Sequence, residues 1–228
     1  MNRVRWFRAH LPHSLRSMAT KISSAPLKLD GDMGFRIERT RNDAIEAMYH
    51  ERFTWTERNV DPFGREFAFE RTEYKSVRFV LSRNYPELEL IDAPRGLTSF
   101  FSRLAEITDF QAAIEPLSVD VLDWAAAIRK SRATEFRVAG ITVSNLNVEE
   151  GVIGRLTIMS REKDVQAALS RLLARRAYSL QKLQIVFRDE YAAGSLVLAA
   201  DGTVRSDKEL DLDVLKEIRD ALPKPGRG

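Results

Sequence analysis

The hydrophobic period of the chain changes several times along its length. Phe67 and Phe69, then Val77, Phe79 and Leu81, then Leu88 and Leu90 alternate with charged or polar residues. Period two sends successive side chains to opposite faces and predicts half-buried antiparallel strands, the last two joined through Arg83-Asn84-Tyr85-Pro86. Phe136–Val148 reads as a longer strand whose apolar phase slips at Ala139-Gly140, where a β-bulge fits. It is expected to pair with Val152–Met159 across Asn147–Gly151. Leu183, Ile185 and Phe187 predict a further strand, and Ser195–Ala199 with Thr203–Arg205 a hairpin about Asp201-Gly202. Shorter strands are expected at Ala25–Leu29 and near 111–116.

Elsewhere the period lengthens to three or four, the spacing of one helix face. Ile45, Met48 and Tyr49 follow a cap at Asn42; Phe100, Phe101, Leu104 and Ile107 follow Thr98; Val121, Ala125 and Ile128 follow Ser118. Ser160 opens a helix expected over 161–177, with Val165, Ala168, Leu169 and Leu172 buried. A last helix from about Asp211 carries Leu215, Ile218 and Leu222 and stops at Pro223. At the N-terminus Val4, Phe7, Leu11, Leu15 and Met18 also recur at helical spacing, interrupted by Pro12 into two short turns.

Strand-strand-helix therefore recurs over 75–108, 134–177 and 181–222 without residue-level identity between the copies. This predicts an α+β fold: repeated strand-strand-helix units forming a mainly antiparallel sheet, with helices packed on one face. The expected organisation is an N-terminal segment over 1–24, a single α+β domain over 25–222 with a sub-boundary at 92–96, and a tail over 223–228.

Composition adds exclusions. The 228 residues carry 44% hydrophobic and 30% charged side chains, the balance of a chain that folds around a core. No run is long and apolar enough for a membrane-spanning helix. Without cysteine there are no disulfides, thiol nucleophiles or Cys-ligated metals. The formal charge of +3 is uneven. Residues 1–29 hold six bases (Arg3, Arg5, Arg8, Arg16, Lys21, Lys28) and no acid, which leaves 30 basic against 33 acidic residues beyond them, a net of −3. An acid-free, Arg-rich, amphipathic segment reads as a targeting peptide, as a basic arm for phosphates or an anionic surface, or as an extension ahead of a start at Met18. A cytoplasmic location is expected, organellar if 1–24 is a transit peptide.

Chemistry is sparse. No nucleophile-elbow or phosphate-loop motif occurs, and of three histidines only His50 lies outside the N-terminal segment. No catalytic residues, cofactor or metal are therefore assigned. Glu73-Tyr74-Lys75 has the acid-x-Lys spacing of metal-dependent phosphodiester cleavage, with Asp61 upstream. One such triplet is about what chance supplies at this composition. The aromatics from Phe53 to Phe79 interleave with six bases that six acids cancel, which favours core aromatics with salt-bridged outer faces over a nucleic-acid platform. The densest cationic cluster is Arg171, Arg175 and Arg176 with Lys182 following, and guanidinium forks suit phosphate or carboxylate groups. The functional expectation is a non-enzymatic binding module that recognises a protein partner or nucleic acid through Arg171, Arg175, Arg176 and Lys182. The alternative is a metal-dependent phosphodiester-cleaving enzyme using Asp61, Glu73 and Lys75.

Overall fold

The computed structural model describes residues 2–132, 135–173, 176–187 and 194–224. In chain order the elements begin β1 (Arg3–His10), α1 (Leu15–Ser23), β2 (Met33–Thr40), β3 (Ala44–Val60), β4 (Glu66–Ser82), β5 (Leu88–Ile91), α2 (Thr98–Ile107) and β6 (Ala113–Pro116). They continue α3 (Val121–Arg132), β7 (Phe136–Glu149), β8 (Val152–Met159), α4 (Gln166–Leu173), β9 (Ser179–Phe187), β10 (Ser195–Ala199), β11 (Thr203–Ser206) and α5 (Leu212–Asp220). The strands pair mainly antiparallel, and the protein is α+β. Among the described residues no helix is long and apolar enough to cross a membrane.

The chain forms two compact units, one of Met1–Arg8 with Glu115–Gly228, here the outer unit, and one of Ala9–Ile114, the inserted unit. The change of unit falls after Ile114, against a sequence expectation of a single domain over 25–222 with a sub-boundary at 92–96. It also draws the N-terminal residues into the fold.

In the inserted unit β2, β3, β4 and β5 lie side by side in that order. Ile45, Ala47 and Tyr49 of β3 and Val77, Phe79 and Leu81 of β4 are buried on a single face. Phe35, Tyr49, Phe79 and Phe100 form a continuous ring cluster there, with centroids 5.1 to 5.9 Å apart. The helix expected behind Asn42 is therefore a strand. Ile45 and Tyr49 fit either period, and Ala47 settles it, because β2 and β4 supply partners on both edges. The strand expected at Ala25–Leu29 reduces to a parallel bridge between Pro26 and Phe35.

Beyond Arg52 and Tyr74 this hairpin leaves the sheet. Residues 53–60 and 66–73 pair only with each other, turning at Asp61–Gly64, where Asp61 accepts from the Phe63 and Arg65 amides at 2.9 and 2.8 Å. At about 3.4 Å per residue the free part of this arm is about 27 Å long. Phe53, Trp55, Phe67 and Phe69 share its face with the buried positions of β3 and β4, yet Trp55 is 40% and Phe67 50% exposed. The expectation of core aromatics fails here because, among the described residues, no third strand or helix covers the arm. Its charges do pair: Arg71 meets Glu57 and lies 5.2 Å from the Phe69 ring, and the Lys75 ammonium sits 4.0 Å over Phe53.

In the outer unit the strand order is β1, β11, β10, β9, β7, β8. Val4, Trp6, Val138, Ile141, Val143, Leu183, Ile185, Leu196, Leu198 and Val204 are buried. Trp124 of α3 meets Trp6 edge-on at 6.0 Å and donates its indole N–H to the Ile218 carbonyl of α5 at 2.9 Å. The N-terminal segment, expected as a helical arm, thus contributes a strand. Trp6 adds the burial that the three-four spacing of Val4 and Phe7 concealed. The helical part begins later, at α1, where Ser14 accepts from the Ser17 amide at 3.2 Å and Leu15, Met18 and Ile22 are buried.

The β7–β8 and β10–β11 hairpins form as the alternation predicts, and the register of β7 against β9 slips between Val138 and Gly140, where the bulge was expected. The helix expected over 161–177 is shorter. Ser160 caps a turn over 161–163, Asp164 accepts from the Gln166 amide, and α4 starts only there. Val165 and Leu169 are buried as expected, but Leu173 is buried where Leu172 was expected, and Leu172 is 62% exposed. Residues 174–175 of that prediction, and 225–228 of the tail, lie outside the described residues.

Candidate functional site

Pairing register across the outer unit aligns side chains from six strands in two rows on the face opposite Leu183, Ile185, Leu196 and Val204. Thr157, Thr142, Lys182, Ala199, Thr203 and Arg5 form the first row. Met159, Gly140, Gln184, Val197, Arg205 and Arg3 form the second. Four of these twelve positions are cationic and none is acidic. Asp201 in the β10–β11 turn, which also lines the groove between the rows, pairs with Arg5 at 3.3 Å, and Arg5 lies 4.7 Å over the Phe7 ring.

Apart from Arg3 and Arg5, the residues of the rows line a groove of about 460 Å³. Its floor is low because the side chains there are small: Gly140, Ala199 and Thr203 are buried between longer neighbours. A Cβ at Gly140 would press on the Gln184 side chain at 3.2 to 3.3 Å, so glycine is what keeps that part of the floor open. Bulges at Val138/Gly140 and Thr142/Val143 increase local twist and curve the face. Thr142 and Thr157 share a hydroxyl hydrogen bond at 3.2 Å, which leaves each an oxygen lone pair toward the groove. At one end Asp207 accepts from the Ser195 amide at 2.8 Å and its hydroxyl at 3.1 Å. The amide bond above all holds the Asp207 carboxyl below its ordinary range, so this end stays charged and internally satisfied.

No family model matches the chain, and no curated protein matches it either. The geometry alone carries the reading.

Of the expected contact residues, Lys182 lines the groove, exposed and without an ion pair among the described residues. Arg171 and Arg176 do not line it. Arg171 is exposed on α4 and turns its Nε back to the Ala167 carbonyl at 3.3 Å, and Arg176 is exposed just past the helix. Arg175 lies outside the described residues. Strand register aligns Lys182 in these rows with Arg205, Arg5 and Arg3. Sequence reasoning missed these because their alignment depends on register across strands far apart in the chain. The only local signal was the polar phase of each strand.

The acidic alternative separates too. Asp61 is occupied in the arm's turn, whereas Glu73 stands opposite Phe53 toward its base, about 25 Å away along the strand. These groups do not share a cation. Among the described residues no group of three or more His, Asp or Glu side chains is placed to hold a metal ion. His50 sits on β3 with its Nδ1 2.8 Å from the Ser76 hydroxyl.

Proposed function

We propose that the protein is a non-enzymatic binding module that holds a nucleic-acid strand across the open sheet face of the outer unit. Lys182 and Arg205 neutralise phosphates, while Thr142, Thr157 and Gln184 offer hydrogen bonds to sugar or base edges. The observation that carries this reading is the alignment of Lys182, Arg205, Arg5 and Arg3 in two rows without a carboxylate, Asp201 at the groove's edge being paired with Arg5. A polyanion gains by releasing counterions along such a face. A protein-binding patch would be richer in aromatic area than Val197 and Met159 provide. The reading takes the unit's helices to be held on the buried side in repeated strand-strand-helix order, which leaves the groove open, and it takes the protein to act in the cytoplasm. Arg171 and Arg176 add positive charge outside the groove.

The test is anisotropy of labelled single- and double-stranded DNA and RNA across a salt series. Replacing both Lys182 and Arg205 by Gln removes two phosphate partners and should flatten the log–log salt slope for a single strand by about 1.4. An unchanged slope, or no binding at low salt, rejects the groove as the site. If only Arg171→Gln/Arg176→Gln flattens the slope, the contact is the helix end.

A further inference from the structure

We infer that the outer unit pairs with a second copy of this chain through the free edge of β8, the two β8 strands running antiparallel about Leu156. Among the described residues β8 is the last strand of its sheet and pairs only with β7. A free edge presents a row of backbone donors and acceptors, and edges are normally guarded by proline, lysine, inward charge or a bulge in the edge strand. The β8 sequence, Val-Ile-Gly-Arg-Leu-Thr-Ile-Met, has no proline, lysine or acid. The register slips in this hairpin place their extra residues on β7, so the outward edge of β8 stays regular. Its side chains are exposed apolar groups at both ends: Ile153 is 73% and Met159 68% accessible.

The occupant follows from what the edge would meet. When a strand pairs antiparallel with its own copy about one residue, opposite positions sum to twice that residue's number and share a face. Centred on Leu156, the register sets Ile153 against the second copy's Met159, Arg155 against Thr157, Gly154 against Ile158, and Leu156 against itself. Ile153 and Met159, the two most exposed apolar side chains of the strand, meet each other, Val152 falls opposite Ser160, and the one charged residue of the strand avoids its own copy. Past the strand ends the same register sets Glu149 toward Lys163 of the other molecule and Glu150 toward Glu162, so the contact there is balanced and the apolar pairs carry the match. No other chain is needed to satisfy the edge. Pairing would join two grooves into one surface, but the inference does not rest on nucleic-acid binding, because it is read without oligonucleotide.

Sedimentation equilibrium of the full chain should give about twice the 26.0 kDa chain mass over a concentration series. Ile153→Lys/Met159→Lys places like charges along the edge at exposed positions and should raise the dimer dissociation constant by at least about tenfold, with an unchanged circular-dichroism spectrum. The chain has no cysteine, so an introduced thiol reports only on itself. Leu156→Cys should form a disulfide-linked dimer under mild oxidation. Thr157→Cys, facing Arg155 in the paired copy, should cross-link much more slowly. A monomer at every concentration, a dimer indifferent to the lysine pair, or equal cross-linking at the two cysteine positions overturns the inference.

Discussion

Gly34 is constrained by close approach: a Cβ there would overlap the amide and Cα of Leu27 and the carbonyl carbon of Pro26. The neighbouring Phe35 amide bonds the Ala25 carbonyl at 2.9 Å, so these backbones cannot separate without loss. Gly34→Ala should destabilise the inserted unit by about 1–3 kcal/mol in urea unfolding followed by far-UV dichroism; an unaltered midpoint refutes the close packing. His50 carries a different kind of constraint. Burial, reinforced by Arg36 and opposed by Glu38, lowers its pKa below the ordinary 6.5. As pH falls below that value the unfolded chain takes the proton first, so this group's contribution to stability is present above pH 6.5 and is lost on acidification. The difference in unfolding free energy between the protein and His50→Gln should shift against the protein as pH falls through that window. A pH-independent difference would show that His50 is not desolvated. Tyr49, buried against Phe35 and Phe100, has its phenol pushed up to about 12, first by burial and then by Glu51.

Local pattern was legible wherever an element's partner is also its neighbour in the chain. The β7–β8 and β10–β11 hairpins could be read because alternation, a bulge position and Asp201-Gly202 all lie within a few residues of one another. The segment around Ile45 and Tyr49 could not, because the same apolar positions satisfy periods of two and of nearly four until β2 and β4 are in place. β1 was hidden for a similar reason: its partner β11 lies almost two hundred residues away in the sequence. That distance makes a test. Trp6→Ala removes a fully buried ring that packs on Trp124 and should cost the outer unit about 3–5 kcal/mol, read by thermal and urea unfolding. Indifference to this change would return the N-terminal segment to the status of an appendage. The arm formed by β3 and β4 shows the converse. Its alternation is strand-like throughout, but nothing in a strand pattern says whether a third element will cover it.

Across the whole chain, the mildly acidic balance after residue 29 conceals a segregated charge distribution. β1 brings Arg3 and Arg5, half of the cationic positions in the two rows, from the segment that holds no acids. Segment arithmetic located that charge, and the register shows where it lies. The grouping of Lys182 with Arg205 was out of reach of any local window, since two antiparallel pairings must be stacked before their side chains align.

The placement of the three tryptophans has an optical consequence. Trp6 and Trp124 are fully enclosed in the outer unit, whereas Trp55 stands 40% exposed on the arm of the inserted unit. An aqueous quencher such as iodide would act first on the red-shifted emission of Trp55. The shielded blue component left behind would report the outer unit, so one cuvette would follow the two units separately without any label.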